Sequence, residues 1–124
     1  MLDVDKYSRT PIYEQIVQEF ERMILTGEMA GNDIVPSVRQ LSQELSVNPN
    51  TLQKAYVELE GRGICFSVPG SGRYITPNAK DIIQGERRQR LGEIKKLCIE
   101  LKQCGVKMED CIEAVKSAYE GEVK

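Results

Sequence analysis

Apolar residues return every three or four positions in the first part of the chain. Tyr13, Ile16, Val17, Phe20, Met23 and Ile24 make one face of a helix. Thr10 is placed to cap it, with Pro11 at the first helical position, where a missing N–H costs nothing. Gly27 is the natural stop. Residues 28–36, with Gly31, Asn32 and Pro36, predict a loop. Ser37 then caps a second helix whose buried stripe is Val38, Leu41 and Leu45. Ser46 and Val47 make a tight turn. Asn48 caps a third helix with Pro49 at its first position, and Leu52, Ala55, Tyr56 and Leu59 face inward. Gly61 and Gly63 end it.

The pattern then changes. Ile64 to Val68 and Arg73 to Thr76 predict two short strands, joined by a glycine-rich turn over Pro69 to Gly72. Three helices followed by a hairpin make a winged helix-turn-helix, closed by Pro77 and Asn78. Residues 79–104 predict one further helix, with Ile83, Leu91, Ile94, Leu97 and Leu101 at spacings of three and four in its later part. Gly105 breaks it. Residues 108–120 predict another, with Cys111, Ile112, Val115 and Tyr119 on one side. The expected fold is therefore mainly α with a small β-hairpin. Residues 1–77 would form a winged helix-turn-helix DNA-binding domain, and residues 78–124 a short helical tail. Two short amphipathic helices cannot bury both apolar faces alone. A second copy of the same pair would cover them, with Leu91, Ile94, Leu97, Leu101, Ile112, Val115 and Tyr119 at the dimer interface.

A helix fits the major groove of B-DNA, and its N-terminal residues reach base edges. Here that turn is Asn48-Pro-Asn-Thr51, followed outward by Gln53 and Lys54. Asn and Gln amides pair with adenine, and Thr suits phosphate or base contacts. Arg39 and Lys54 are the charged groups placed for phosphate or guanine. Ser37 and the first N–H groups of its helix suit a phosphate. In the wing, Gly70, Ser71 and Gly72 let the backbone approach the sugar-phosphate chain, with Arg73 beside them. Each residue also has a plain structural reading. Asn48 is foremost a cap, the glycines serve any tight hairpin, and Lys54 and Arg62 suit solvent.

The net charge of -2 does not by itself advertise nucleic acid, but its distribution changes the picture. Residues 1–33 are acidic. Residues 34–77 carry Arg39, Lys54, Arg62 and Arg73 against Glu44, Glu58 and Glu60, so the sign turns mildly positive around the helix-turn-helix. No apolar run approaches membrane-spanning length, and no signal peptide opens the chain. A cytoplasmic location without membrane contact is expected. With 124 residues there is room for one compact domain and an appendage, not a full-sized effector domain. The absence of histidine, of a nucleotide-binding loop and of a paired-carboxylate site argues against an enzyme, and no cofactor is expected. Cys65, Cys98, Cys104 and Cys111 show no C-x2-C spacing and are expected as reduced, packed thiols. Two alternatives stand beside DNA reading. One is a thiol- or metal-responsive sensor built on Cys98, Cys104 and Cys111. The other is a winged-helix module for protein contacts.

Pro36-Ser-Val-Arg-Gln-Leu41, Val47-Asn-Pro-Asn-Thr-Leu-Gln-Lys-Ala-Tyr56, Glu58-Leu-Glu60, Gly63-Ile64 and Gly70-Ser-Gly-Arg-Tyr-Ile75 together resemble the GntR family of bacterial transcription regulators. The likeness runs from about Pro11 to Thr76. The two-helix tail is similar to the YtrA-like subgroup, which lacks a large effector domain. The resemblance implies a homodimer on a palindromic DNA operator, usually repressing and often controlling neighbouring transporter genes, with a small-molecule effector unspecified. It implies DNA-contact roles for Ser37, Arg39, Asn50, Thr51, Lys54, Gly70 and Gly72. The chain departs from many relatives at Pro49 and Gln53, where they carry arginine, and at Ser71, where they are often basic.

Overall fold

The computed structural model of the protein describes residues 2–121. Among the described residues six helices and three strands follow in order: α1 Ile12–Thr26, β1 Ile34–Val35, α2 Val38–Leu45, α3 Pro49–Gly61, β2 Cys65–Val68, β3 Gly72–Ile75, α4 Ala79–Arg88, α5 Leu91–Gln103 and α6 Met108–Tyr119. The chain divides into two compact units, one through Gly85 and one from Glu86.

In the first unit, the apolar face of α1 packs on α3. Ile16, Phe20, Leu52, Ala55, Tyr56 and Leu59 are buried there, joined by Leu41 of α2, Ile64, and Ile75 of β3. Burial of each such large side chain stabilises the fold by about 1.5–3 kcal/mol relative to exposure. Phe20 meets Tyr56 edge-on, with ring centroids 5.8 Å apart. The Tyr56 hydroxyl donates to the Pro36 carbonyl at 2.7 Å, so the buried ring also holds the entry to α2. Arg62, just past α3, pairs with Glu21 of α1 at 2.6 Å and with Glu58 at 3.3 Å. Ala79 and Ile83 of α4 complete this core.

The predicted fold class stands, with local differences. α1 begins one residue later than expected. Pro11, not Thr10, sits at its cap position, and the Pro11 carbonyl accepts from the Gln15 N–H at 3.1 Å. The Thr10 carbonyl instead accepts from the Gln15 side chain at 2.8 Å. The supposed loop before α2 contains β1, which pairs antiparallel with β3, Ile34 opposite Tyr74 and Val35 opposite Arg73. The sheet therefore has three strands in the order β1-β3-β2. The helix expected over 79–104 is two helices. A turn at Gln89 and Arg90 divides them, and the glycines on either side of it, Gly85 and Gly92, weaken helix continuity.

In the second unit, α5 and α6 form a helical hairpin through Gly105. Neither helix buries a residue.

Candidate nucleic-acid interface

The α2–turn–α3 segment is held by hydrogen bonds from its own side chains and backbone. Ser37 Oγ accepts from the Gln40 N–H at 3.0 Å and caps α2. Asn48 Oδ1 accepts from the Asn50 N–H at 2.8 Å and caps α3, with Pro49 in its first turn. Between them Ser46 adopts a left-handed conformation (φ 54°, ψ 48°). The N–H of Val47 then returns to the Ser42 carbonyl at 3.0 Å, and that of Ser46 to Gln43 at 3.4 Å. This is a Schellman closure with serine where glycine is usual. It turns the chain within two residues and sets the angle between α2 and α3.

The first turn of α3 stands clear of the core. Asn48, Asn50, Gln53 and Lys54 are exposed and Thr51 is half-buried, while Leu52, Ala55 and Tyr56 point inward. Arg39 projects from α2. It lines a shallow concavity with Val38, Ser42, Gln43, Ser46, Val47 and Pro49. Among the described residues the Arg39 guanidinium has no hydrogen-bond or ion-pair partner. Lys54 lies over the Tyr13 ring, 4.0 Å from its centroid, which fixes the direction of its ammonium.

The wing closes with a tight turn. The Ser71 N–H donates to the Val68 carbonyl at 2.9 Å, with Pro69 and Gly70 at the two central positions. Gly70 has φ 77°, the value this turn type demands of its second central residue. Phe66 pairs with Tyr74 across the strands, and Ser71 Oγ hydrogen-bonds the Tyr74 hydroxyl. Between the wing and the start of α2 runs a groove of about 570 Å³. Ser37, Val38 and Gln40 line one side, and Ser67, Val68, Gly70, Ser71, Gly72 and Arg73 the other.

The structure thus brings Ser37, Gly70, Ser71 and Gly72 onto one groove, and displays Asn50 and Gln53, with Thr51 half-buried between them, on α3. Arg73 serves the fold as well. Its guanidinium pairs with Glu60 and lies 4.8 Å from the Tyr56 ring centroid, fastening the wing to α3. Hydrogen bonds from Ser67 and Arg73 hold the Glu60 carboxyl below the usual carboxylate range. Arg62 is likewise engaged with Glu21 and Glu58, not solvated. One cation escaped the sequence reading. Lys6, ahead of α1, donates to the Ser46 carbonyl at 2.8 Å. Its only local signal is a lysine, because the anchoring carbonyl lies forty positions on.

In the second unit, Leu91, Ile94, Leu97, Ile112, Val115 and Tyr119 are exposed and Leu101 is half-buried. Six of these seven expose 44% or more of their surface, an apolar display that the described residues leave uncovered. The cysteines separate. Cys65 is buried, and that burial pushes its thiol up to about 11. Cys104 is exposed beyond α5. Cys98 of α5 and Cys111 of α6 are half-buried and face each other, and partial desolvation together with the Cys98 thiol raises the pKa of Cys111. Among the described residues no group of three or more His, Cys, Asp or Glu gathers to hold a metal ion, and no helix is long and apolar enough to cross a membrane.

Comparison with known proteins gives this geometry its family. Residues 12–75 match the model of the bacterial regulatory proteins, gntR family. The chain is 41% identical to the HTH-type transcriptional repressor YtrA of Bacillus subtilis (strain 168), over 94% of this chain and 90% of that protein. A solved GntR family transcriptional regulator from Listeria monocytogenes superposes with a TM-score of 0.68 at 36% identity, covering 92% of this chain and 98% of that one. The DNA-binding domain of AraR, solved in complex with operator ORX1, superposes with a TM-score of 0.55 at 25% identity over 61% of this chain and 96% of its own. The chain belongs to the gntR family of bacterial regulatory proteins and is a DNA-binding transcription regulator with a winged-helix head, not an enzyme.

Proposed function

We propose that the protein is a homodimeric repressor that binds a palindromic operator through its winged-helix head and pairs through the hairpin of α5 and α6. The observation that carries this reading is the exposed polar first turn of α3, carried in the same unit as the groove between α2 and the wing. Asn50, Thr51 and Gln53 read base edges in the major groove. Asn48 caps the reading helix and lies at its leading edge. Arg39 and Lys54 anchor phosphate or guanine. Ser37 and the N–H groups behind it take a phosphate, and the tip at Gly70, Ser71 and Gly72 follows the backbone, steadied by Arg73. Lys6 adds a cation at the turn between α2 and α3. The similarity to YtrA, named a repressor, supports the sign of regulation. Control of adjacent transporter genes belongs to the same reading.

The apolar display of α5 and α6 supports the dimer, since a free face of this size is a cost in water. Two heads mated through it would set both α3 helices in successive major grooves, about 34–36 Å apart.

Fluorescence anisotropy with the chain's own upstream DNA, across a salt series, tests the reading. Salt-sensitive, sequence-selective binding is expected. Arg39→Ala should weaken operator binding by about 1–3 kcal/mol with little change in thermal stability, because its guanidinium holds nothing in the fold. Affinity and stability falling together would make Arg39 structural. No binding to the upstream DNA or to a random operator library would favour a protein-contact module.

A further inference from the structure

The hairpin of α5 and α6 contains a feature that DNA reading does not use. Its two helices flank an open cleft of about 350 Å³ lined by Cys98, Lys102, Val106, Met108 and Cys111. Cys98 and Cys111 face each other across it from the two helices, and Met108, 70% exposed, lines its edge. We propose that Cys98 and Cys111, assisted by Met108, form a binding site for one soft monovalent metal cation of the Cu(I) class.

The donor set selects the ion. Thiolate and thioether are soft ligands, suited to Cu(I). No carboxylate or imidazole lines the cleft, so hard cations lack their oxygen ligands and zinc lacks its usual four donors. Cu(I) accepts as few as two sulfur ligands, so the site needs no third cysteine. Charge also matches. Binding displaces a proton from each thiol and leaves a bis-thiolate complex of net charge −1, and the Lys102 ammonium on the cleft wall offsets it. Cys104 lies outside the cleft, exposed, and takes no part. The ligands sit on separate helices, so the ion would clamp α5 to α6.

The test uses the full-length protein, reduced and without oxygen, competing for Cu(I) against the coloured chelator bathocuproine disulfonate. Withdrawal of one Cu(I) per chain is expected, with release of two protons, in wild type and in Cys104→Ser. Cys98→Ser and Cys111→Ser should each lose it, and Met108→Leu should weaken it while preserving cleft volume. Circular dichroism shows whether each variant keeps its helices; a Cys variant that does not is replaced by Cys→Ala at the same position. Copper uptake that survives loss of both Cys98 and Cys111, or that disappears with Cys104 alone, overturns the site. Equal displacement of Cu(I) by Zn(II) overturns the assigned class.

Discussion

Ser46 and Gly31 are two positions where the backbone constrains its residue, one by its angles and one by space. Ser46 holds left-handed angles without being glycine, which costs an L-residue about 1–2 kcal/mol. Ser46→Gly should therefore stabilise the head by about 0.5–1 kcal/mol, part of the relief being offset by the greater freedom of glycine in the unfolded chain. Urea unfolding would show a higher midpoint at unchanged slope. Gly31 is constrained by space. A Cβ there would stand 2.6 Å from Pro77 Cα and 3.0 Å from Pro77 O, both backbone atoms that cannot rotate away. Gly31→Ala should destabilise by about 1–3 kcal/mol, read in the same experiment. The caps Ser37 and Asn48 were legible in the sequence, because a cap and its partner lie within three residues. The need for Gly31 was not, because its obstacle is brought up from far along the chain.

At the scale of elements, the wing is attached to α3 by a small polar joint. Glu60 accepts from Ser67 at 2.7 Å and pairs with Arg73, which stacks over Tyr56. The folded protein lowers the pKa of Glu60. Its contribution is therefore fully present above the ordinary glutamate value of about 4.3, and is lost as pH falls through the lower folded value. Glu60→Gln should flatten that part of the acid limb, following thermal midpoint between neutral pH and about pH 3. An acid limb as steep as in wild type would place the joint's stability elsewhere. The strands of the wing were legible to within a residue. β1 was not, since two residues carry no periodicity and Ile34 is 62% exposed. Its strand identity comes from pairing with β3. The reading of Arg73 as a wing cation was incomplete for a similar reason: the sequence shows a charge near glycines, while Glu60 and Tyr56 come from another element.

At the scale of the whole molecule, the tail carries the proposed assembly. Leu97 is 54% exposed on α5, so a charge there disturbs little within one chain and much between two. Leu97→Glu should shift the protein toward monomer in sedimentation equilibrium and weaken operator binding, while helicity stays near wild type. A dimer as tight as wild type would move the interface off this face. The break at Gln89 and Arg90 belongs to the same scale. The apolar spacing runs on through 79–104, but Ile83 joins the core of the head and Leu91 onward belongs to the second unit.

Local chemistry is what the sequence alone determined: the caps of α2 and α3, the helical stripes, the glycine turn of the wing and the exposed amides of α3. Each depends on residues a few positions apart, where spacing dictates geometry. Tertiary structure decided which charges are free and which are occupied, leaving Arg39 unpaired and engaging Arg62, Arg73 and Lys54. It also docked Lys6 at the turn, added a third strand, and brought Cys98 to Cys111 while leaving Cys104 outside. These outcomes join residues distant in the chain, and only the folded backbone sets their separation.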